Sequence, residues 1–205
     1  MRIALTRPRG RGVEFARELC AAGHEVIEVP LTEIRSAEPY PDPLDFDGVL
    51  FTSVSAVERA PESNAWPRVG AVGEATARAL QERGIRVDVV GVGGGAELAR
   101  AWGDARGQKL LLPQAREAHP ALAEGLVGAE VTCVAVYETV AREDVDRAAL
   151  ETSDLVCFFA PSAVRAYLTL EPGSRPLFWG HGPTTRAAMA EAGLVSIDNP
   201  PWQVA

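Results

Sequence analysis

Cysteine is scarce in this sequence, because the 205 residues include only Cys20, Cys133 and Cys157. An odd number of widely separated cysteines makes neither a disulfide framework nor a CxxC metal or redox pair. Long apolar runs are also absent, since none approaches the roughly 20 residues needed to cross a bilayer. The first residues lead at once to Arg7 and Arg9, which is not the pattern of a secretory signal. These absences favour a cytoplasmic protein with no membrane partner.

Lysine is nearly absent, since Lys109 is the only lysine among 20 basic residues. The formal net charge of −8 argues against a protein that binds nucleic acid by releasing counterions from phosphates. Arginine, however, binds carboxylates with a planar fork of N–H donors. Four arginines precede the first acidic residue, Glu14; they are Arg2, Arg7, Arg9 and Arg11. An anionic ligand would be attracted to this local patch and not to the protein as a whole.

Motifs for common chemistries are missing or incomplete. The histidines, His24, His119 and His181, share no metal-ligand spacing with one another or with the cysteines, and no GxSxG turn surrounds a serine, so neither a metal site nor a hydrolytic triad is predicted. Gly91–Ala96 fits the letter of a GxGxxG/A dinucleotide fingerprint. It comes late in its unit, and no acidic residue ends a strand at the required distance beyond it, so a βα loop is the favoured interpretation.

Short apolar runs alternate with amphipathic stretches of helical length, which is typical of an α/β fold. The runs are Ile3–Leu5, Val26–Val29, Val49–Phe51, Val69–Val72, Val87–Val90, Leu110–Leu112, Val131–Val136, Leu155–Phe159 and Leu177–Trp179. The predicted helices Glu74–Arg83 and Pro183–Ala192 stop at Gly84 and Gly193, as helices commonly do. We therefore predict parallel strands with crossover helices.

The chain also contains an internal repeat. Three pairs of segments are each 107 positions apart: Arg2–Leu5 with Lys109–Leu112, Val29–Thr32 with Val136–Thr139, and Ser55–Val57 with Ser162–Val164. A fourth pair, Gly73–Leu80 and Gly182–Met189, is 109 positions apart. Two copies of one α/β unit predict two similar lobes, because a period this long indicates duplication and not a solenoid.

The second copy looks unfinished at its end. The first copy continues from its glycine loop into a predicted helix at Ala96–Arg100, whereas the counterpart Pro200–Ala205 stops where that helix would begin. Either the chain is cut short here, or Trp202 packs into a groove and no further helix is required.

Hydroxyl groups and arginines follow several predicted strands. Gly182–Thr185 combines a glycine, the free N–H groups of a helix N-terminus and two hydroxyls, which together could cradle a carboxylate; ordinary helix capping explains the same residues equally well. In an open parallel sheet such turns share the carboxyl edge, where ligands bind. The candidate binding residues are Thr6, Arg7, Ser53, Ser55, Thr76, Arg116, Ser162, Thr184 and Thr185.

Tyr137 is the only tyrosine at the end of a predicted strand. Its phenol could donate a hydrogen bond or stack on an aromatic ring of a ligand. A half-buried linker tyrosine is the other interpretation, and the residues alone leave both open.

Together these motifs resemble those of uroporphyrinogen-III synthase over nearly the whole chain. The matching residues are Thr6–Pro8, Val29–Pro30, Phe51–Ser53, Ala56–Val57, Val72–Gly73, Ala75–Ala77, Val136–Thr139, Pro161–Val164 and Gly182–Thr185. The resemblance implies two α/β lobes with parallel sheets flanked by helices, joined by a two-stranded linker. Residues 1–34 and 143–205 would form the first lobe, residues 37–136 the second, and the linkers would lie near 31–36 and 137–142. This crossing joins the first half of one repeat copy to the second half of the other.

The same resemblance implies the reaction. The substrate would be hydroxymethylbilane, a linear tetrapyrrole octacarboxylate, which is closed to uroporphyrinogen III with inversion of ring D and loss of water. No cofactor is implied, because the pyrrole nitrogen itself expels the terminal hydroxyl group. Tyr137 would assist that loss as the catalytic residue, and the binding residues above would anchor carboxylates and pyrroles. The resemblance also allows a transient partner, hydroxymethylbilane synthase, and a monomer is expected.

One segment departs from the family pattern. Phe158–Ala160 stands where a phenylalanine, a threonine and a serine are usual, which removes two hydroxyls and bears on binding strength more than on reaction type. Two other functions stay open at this point: a non-catalytic two-lobed module that closes over a small anion, and a nucleotide-using enzyme built on the glycine loop at Gly91.

Overall fold

The computed structural model describes residues 1–63, 65–173, 176–198, 200 and 202. The strands are β1 (Arg2–Leu5), β2 (Glu25–Glu28), β3 (Thr32–Ser36), β4 (Gly48–Phe51), β5 (Arg68–Val72), β6 (Val89–Gly91), β7 (Lys109–Ala115), β8 (Glu130–Ala141), β9 (Leu155–Phe158) and β10 (Leu177–Gly180). The helices are α1 (Val13–Ala21), α2 (Val54–Val57), α3 (Gly73–Glu82), α4 (Gly95–Trp102), α5 (Ala121–Gly125), α6 (Arg147–Glu151), α7 (Pro161–Leu168) and α8 (Gly182–Glu191). No helix in this part of the chain has both the length and the apolarity to cross a bilayer.

The chain divides into two compact units. Unit 1 comprises Met1–Glu33 and Thr139–Ala205, and unit 2 comprises Ile34–Glu138. The chain therefore passes from unit 1 to unit 2 within β3 and returns within β8, and β3 and β8 are neighbours in one sheet.

Unit 1 is built on a parallel sheet with the strand order β10-β9-β1-β2. On one face, Ile3 and Leu155 pack with Leu19 of α1. On the other face, Phe158 packs with Tyr167 of α7. Because helices cover both faces, the inner strands β1 and β9 are apolar almost throughout instead of alternating with polar residues.

Unit 2 is built on a sheet with the strand order β3-β8-β7-β4-β5-β6, in which β8 through β6 are parallel. On one face, Phe51 and Val69 pack with Leu80 of α3. On the other face, Leu50 packs with Trp102 of α4. The predicted fold class, α/β with parallel sheets and flanking helices, is confirmed.

Each sheet contains strands from both copies of the repeat. The order β10-β9-β1-β2 corresponds strand for strand to β5-β4-β7-β8. The register repeats as well: Gly48 of β4 lies opposite Arg68 of β5, and their counterparts in the second copy, Leu155 and Leu177, lie opposite each other in β9 and β10. The repeat found in the sequence is therefore a repeat of strand pairing and not only of residue types.

Two strands differ from the predicted apolar runs. β3 is absent from those runs because it is mostly polar, and it can be so because it is the outermost strand of its sheet. β8 extends well beyond the run Val131–Val136, since it continues through Tyr137 to Ala141. The prediction that Tyr137 ends its strand was therefore wrong.

The end of the second copy is described only in part. The indole of Trp202 packs edge-on against Phe15 and Trp179, with ring centroids 5.4 and 5.2 Å away. Pro201 and residues 203–205, where the counterpart of the helix at Ala96–Arg100 would begin, lie outside the described residues.

Gly91, the last residue of β6, lies against α4. A Cβ added there would stand 2.4 Å from the backbone N and Cα of Leu98, and the helix would have to move. We expect Gly91→Ala to lower the free energy of unfolding by about 1–3 kcal/mol, as overpacking does, in urea denaturation. Gly173→Ala is the control, because its added Cβ would meet no atom of the described residues within 4 Å. An equal loss in both variants would contradict the packing role of Gly91.

Candidate functional site

A cavity of about 330 Å³ opens at the carboxyl edge of the unit 2 sheet. Its walls include the turn after β4, the end of β5, the start of α4, the loop after β7 and a side chain of β8. Residues that line it include Thr52, Ser53, Gly95, His119, Leu122 and Tyr137. This edge is where parallel α/β sheets bind ligands, because loops and helix N-termini converge there.

Two of the predicted site residues, Ser53 and Tyr137, meet at this cavity. Their hydroxyl oxygens lie 3.0 Å apart, although Ser53 follows β4 and Tyr137 lies in β8, in different copies of the repeat. Ser53 is also the N-cap of α2, and its Oγ accepts a hydrogen bond from the backbone N–H of Ala56 at 3.2 Å. Whichever of the two hydroxyls donates to the other, one hydroxyl hydrogen is left to donate to a ligand.

The position of Tyr137 depends on an irregularity in its own strand. Gln114 and Ala115 of β7 lie opposite Ala135 and Tyr137 of β8, so β8 carries one extra residue, Val136, as a bulge. The Tyr137 carbonyl accepts a hydrogen bond from the backbone N–H of Arg116 at 2.9 Å. Tyr137 itself is only 9% exposed. Bulges commonly re-aim a side chain next to a site, and this one accompanies the only predicted catalytic residue.

Arg116, a predicted carboxylate partner, is engaged by acidic residues of its own unit. Its Nε donates to Glu138 at 2.9 Å, and its Nη1 lies 3.8 Å from Glu38. The side chain is 52% exposed. A ligand carboxylate would therefore have to compete with these two side chains for the guanidinium.

The other unit 2 candidates, Ser55 and Thr76, are buried in α2 and α3. They are not among the described residues that line the cavity. The structure therefore brings together Ser53, Tyr137 and the backbone of Arg116. Ser55 and Thr76 are buried in their helices and do not reach the cavity.

Three further residues near this site were not predicted from the sequence. Glu117 and His119 line the cavity from the loop after β7, and His119 Nδ1 accepts a hydrogen bond from the backbone N–H of Ala121 at 3.2 Å. Arg59 places its guanidinium carbon 5.5 Å from the centroid of the Tyr137 ring. The sequence contained a signal for Arg59, because Arg59 lies four positions, about one helical turn, after the candidate Ser55. No sequence pattern indicated that Glu117 and His119 would line the cavity.

In unit 1, the first two candidates at the carboxyl end of β1 are engaged within the unit. Thr6 is fully buried, and its hydroxyl donates to the carbonyl of Cys157 at 2.8 Å, which ties β1 to β9. The guanidinium of Arg7 lies 3.9 Å from the centroid of the Phe159 ring, and partial burial lowers the pKa of Arg7. Phe159 thus provides an aromatic face for this cation.

The remaining unit 1 candidates lie in first turns of helices. Ser162 is half-buried in the first turn of α7. Thr184 is exposed and Thr185 is buried in the first turn of α8, which begins at Gly182 with φ 76°. Of these hydroxyls, that of Thr184 is the one a ligand can reach most easily.

The fold and the carboxyl edges of its sheets define a class of protein. It is a two-unit α/β protein in which each unit has a sheet of mainly parallel strands and the chain passes between the units twice. Hydroxyl and guanidinium groups lie at the carboxyl ends of the strands. The family model described as uroporphyrinogen-III synthase HemD matches residues 13–197. The chain belongs to this family, and the resemblance found in the sequence is confirmed.

Individual relatives agree with this assignment. A protein of Methanothermobacter thermautotrophicus that carries the provisional name uroporphyrinogen-III synthase is 32% identical over 161 residues, which cover 69% of this chain and 64% of that protein. The match thus spans slightly less than two thirds of the length of this curated relative.

Two solved structures share the fold. Uroporphyrinogen-III synthetase from Helicobacter pylori has a TM-score of 0.68 and 22% identity, covering 96% of this chain and 91% of that chain. A mutant uroporphyrinogen III synthase from Thermus thermophilus has a TM-score of 0.60 and 21% identity, covering 96% of this chain and 90% of that chain.

Proposed function

We propose that this protein is a uroporphyrinogen-III synthase, a cyclising lyase of tetrapyrrole biosynthesis. It converts hydroxymethylbilane to uroporphyrinogen III, with inversion of ring D and release of water. Membership of the family supports this proposal, and the observation that carries it at the site is the Ser53–Tyr137 hydroxyl pair, 3.0 Å apart at the cavity of unit 2.

The chemistry requires little from the protein beyond hydrogen bonds and positioning. A pyrrole nitrogen supplies the electron pair that breaks the C–O bond of the hydroxymethyl group, and the hydroxyl leaves as water after gaining a proton. Tyr137 donates a hydrogen bond to that leaving oxygen, and Ser53 holds the phenol in place. Positioning the flexible chain for ring inversion, and against simple head-to-tail closure, can lower a barrier by several kcal/mol.

The substrate is a polyanion, and the two units offer groups that suit carboxylates. In this proposal Arg7 and Arg116 contribute charge, and Ser162 and Thr184 contribute hydroxyl groups and nearby helix N–H donors. Thr6, Ser55, Thr76 and Thr185 are buried, so their contribution is to hold the strand edges in shape.

Thr184→Ala tests the carboxylate contact at α8. Because Thr184 is exposed, the change should leave folding intact and raise KM about tenfold through the loss of one hydrogen bond to a charged group, with kcat little affected. Thr169→Ala is the control, since the Thr169 hydroxyl donates to the Ala166 carbonyl within its own helix at 2.8 Å. An unaltered KM in steady-state assays of Thr184→Ala would count against the contact.

The decisive experiment for the function is a product-isomer assay. Purified protein is incubated with freshly prepared hydroxymethylbilane, and the oxidised products are separated into isomers I and III. We expect isomer III; isomer I alone would eliminate the synthase proposal and return the protein to the class of non-catalytic anion-binding modules. No observation on the described residues favours that alternative.

Cellular context remains part of the proposal. We expect a cytoplasmic monomer that meets hydroxymethylbilane synthase transiently, because an unstable linear substrate is best passed on quickly. Sedimentation of the purified protein checks the monomer.

A further inference from the structure

Arg59 connects two elements of unit 2. It lies two residues after the end of α2, and its side chain is 19% exposed. Its Nη1 donates to the carbonyl of Ser55 at 2.9 Å, and its Nη2 donates to the carbonyl of Ile34 in β3 at 3.3 Å. A planar guanidinium can bridge two carbonyls in this way, whereas the single ammonium of lysine forms no such fork.

The same guanidinium packs on the proposed catalytic side chain. Its central carbon lies 5.5 Å from the centroid of the Tyr137 ring, within the roughly 6 Å range of a cation–π contact. Ser53, at the other end of α2, contacts the hydroxyl of the same ring. Residues at both ends of the short helix α2 therefore contact Tyr137. Ser53, the N-cap, contacts its hydroxyl, and Arg59, beyond the C-terminus of the helix, contacts its ring.

Capping of α2 does not by itself account for this arginine. The Nε of Arg59 is buried and has no hydrogen-bond partner among the described residues, and its ion pair with Glu58 is long, at 4.0 Å. A buried N–H donor without a partner is unfavourable for folding. The contact with the Tyr137 ring gives Arg59 a role beyond capping, and this role offsets the unfavourable burial of its Nε.

We propose that Arg59 is a positioning residue for Tyr137 in the reaction proposed above, on which this inference rests. Arg59 is not among the described residues that line the cavity, so it acts through the Tyr137 ring. Its loss should therefore lower kcat and leave KM nearly unchanged.

Arg59→Met tests this inference, because methionine keeps an unbranched apolar stem and removes both the charge and the donors. We expect kcat for isomer III to fall about tenfold, in line with a partly desolvated cation–π contact, with no comparable change in KM. Arg59→Lys keeps the charge but not the fork, so its kcat should lie between those of Arg59→Met and the unaltered protein. A normal kcat for Arg59→Met would overturn the inference.

Arg83→Met is the matched control. Arg83 also donates to carbonyls at the end of the α2 segment, those of Val57 and Ala60, the latter at 2.7 Å. Its replacement removes comparable hydrogen bonds from the same segment, and kcat should stay close to that of the unaltered protein. Equal losses in Arg59→Met and Arg83→Met would show that the integrity of α2 matters and not the contact with Tyr137, which would overturn the inference.

A double variant separates action through Tyr137 from any other action. If Arg59 acts through the phenol, Arg59→Met should cost less than about twofold in kcat when Tyr137→Phe is already present. A full tenfold loss in that background would overturn the inference. These comparisons start from an unaltered protein that forms isomer III, so failure of the proposed function would appear first and separately.

A spectroscopic readout does not depend on activity. The sequence has three tyrosines, so in protein labelled with ring-¹³C tyrosine the Tyr137 signal is the one that disappears in Tyr137→Phe. Arg59→Met should shift that signal and leave Tyr167, in unit 1, in place, whereas Arg83→Met should leave the Tyr137 signal unmoved. A Tyr137 signal that does not respond to Arg59→Met would overturn the inference.

Discussion

Tyr137→Phe is expected to slow the formation of uroporphyrinogen III about 100-fold, the usual scale for loss of a positioned proton or hydrogen-bond donor. The substitution removes the hydroxyl that lies 3.0 Å from Ser53 at the cavity and keeps the ring that Arg59 contacts. Ser53 retains its hydrogen bond from Ala56, so α2 should remain capped. The rate of isomer III formation at saturating hydroxymethylbilane measures the effect, and the thermal midpoint shows that the protein is still folded.

Tyr167→Phe is the matched control for this experiment. Tyr167 packs its ring against Phe158 and Phe178 in unit 1. The change removes a tyrosine hydroxyl from unit 1 and none of the residues that line the cavity of unit 2. We expect its turnover to match that of the unaltered protein. If Tyr137→Phe also turned over at the unaltered rate, Tyr137 would have no catalytic role, and the hydroxyl pair would be a structural contact only.

Phe158→Ala is expected to cause a large loss of stability, about 3–5 kcal/mol in the free energy of unfolding, because it empties a fully buried aromatic site. Phe158 is 0% exposed and packs against Tyr167 and Phe178, with ring centroids 5.4 and 5.9 Å away. Truncation would remove these contacts from the core of unit 1. Urea denaturation followed by circular dichroism measures the change.

Leu168→Ala provides the comparison, since Leu168 ends the same helix, α7, and is 43% exposed. Its truncation should cost about 1 kcal/mol or less. A loss for Phe158→Ala no greater than that for Leu168→Ala would show that the core around β9 is not packed as described.

The regular part of the fold is predictable because its signal is local. Strands buried on both faces must be apolar runs, which is why β4 and β9 stand out in the sequence. Helices such as α3 and α8 start and stop at residues with strong backbone preferences, and the period of the repeat is carried by matching residues along the chain. β3 was not predicted from the apolar runs, because a strand at the edge of a sheet can remain polar.

The candidate site is predictable only in its residue types. Strand-end positions identified Ser53 and Tyr137 separately, since parallel strands bring their carboxyl ends to one edge. Sequence spacing treated Ser55 and Thr76 in the same way, although both are buried behind that edge. Whether a hydroxyl faces the cavity or the buried side of its helix depends on how that helix is rotated about its axis. Tertiary packing sets this rotation, and the spacing of residues in the sequence does not.

By itself, the sequence determined the α/β class, the repeat, the family and the types of groups, hydroxyls and guanidinium groups, that suit a carboxylate ligand. Only the tertiary structure decided that Ser53 and Tyr137 form a pair, that Thr6 serves the core, and that Arg59 lies over the Tyr137 ring. The physical reason is that hydrophobic patterning and backbone preferences act over a few neighbouring residues, whereas these contacts join residues of different strands and helices through side-chain packing and a single bulge in β8.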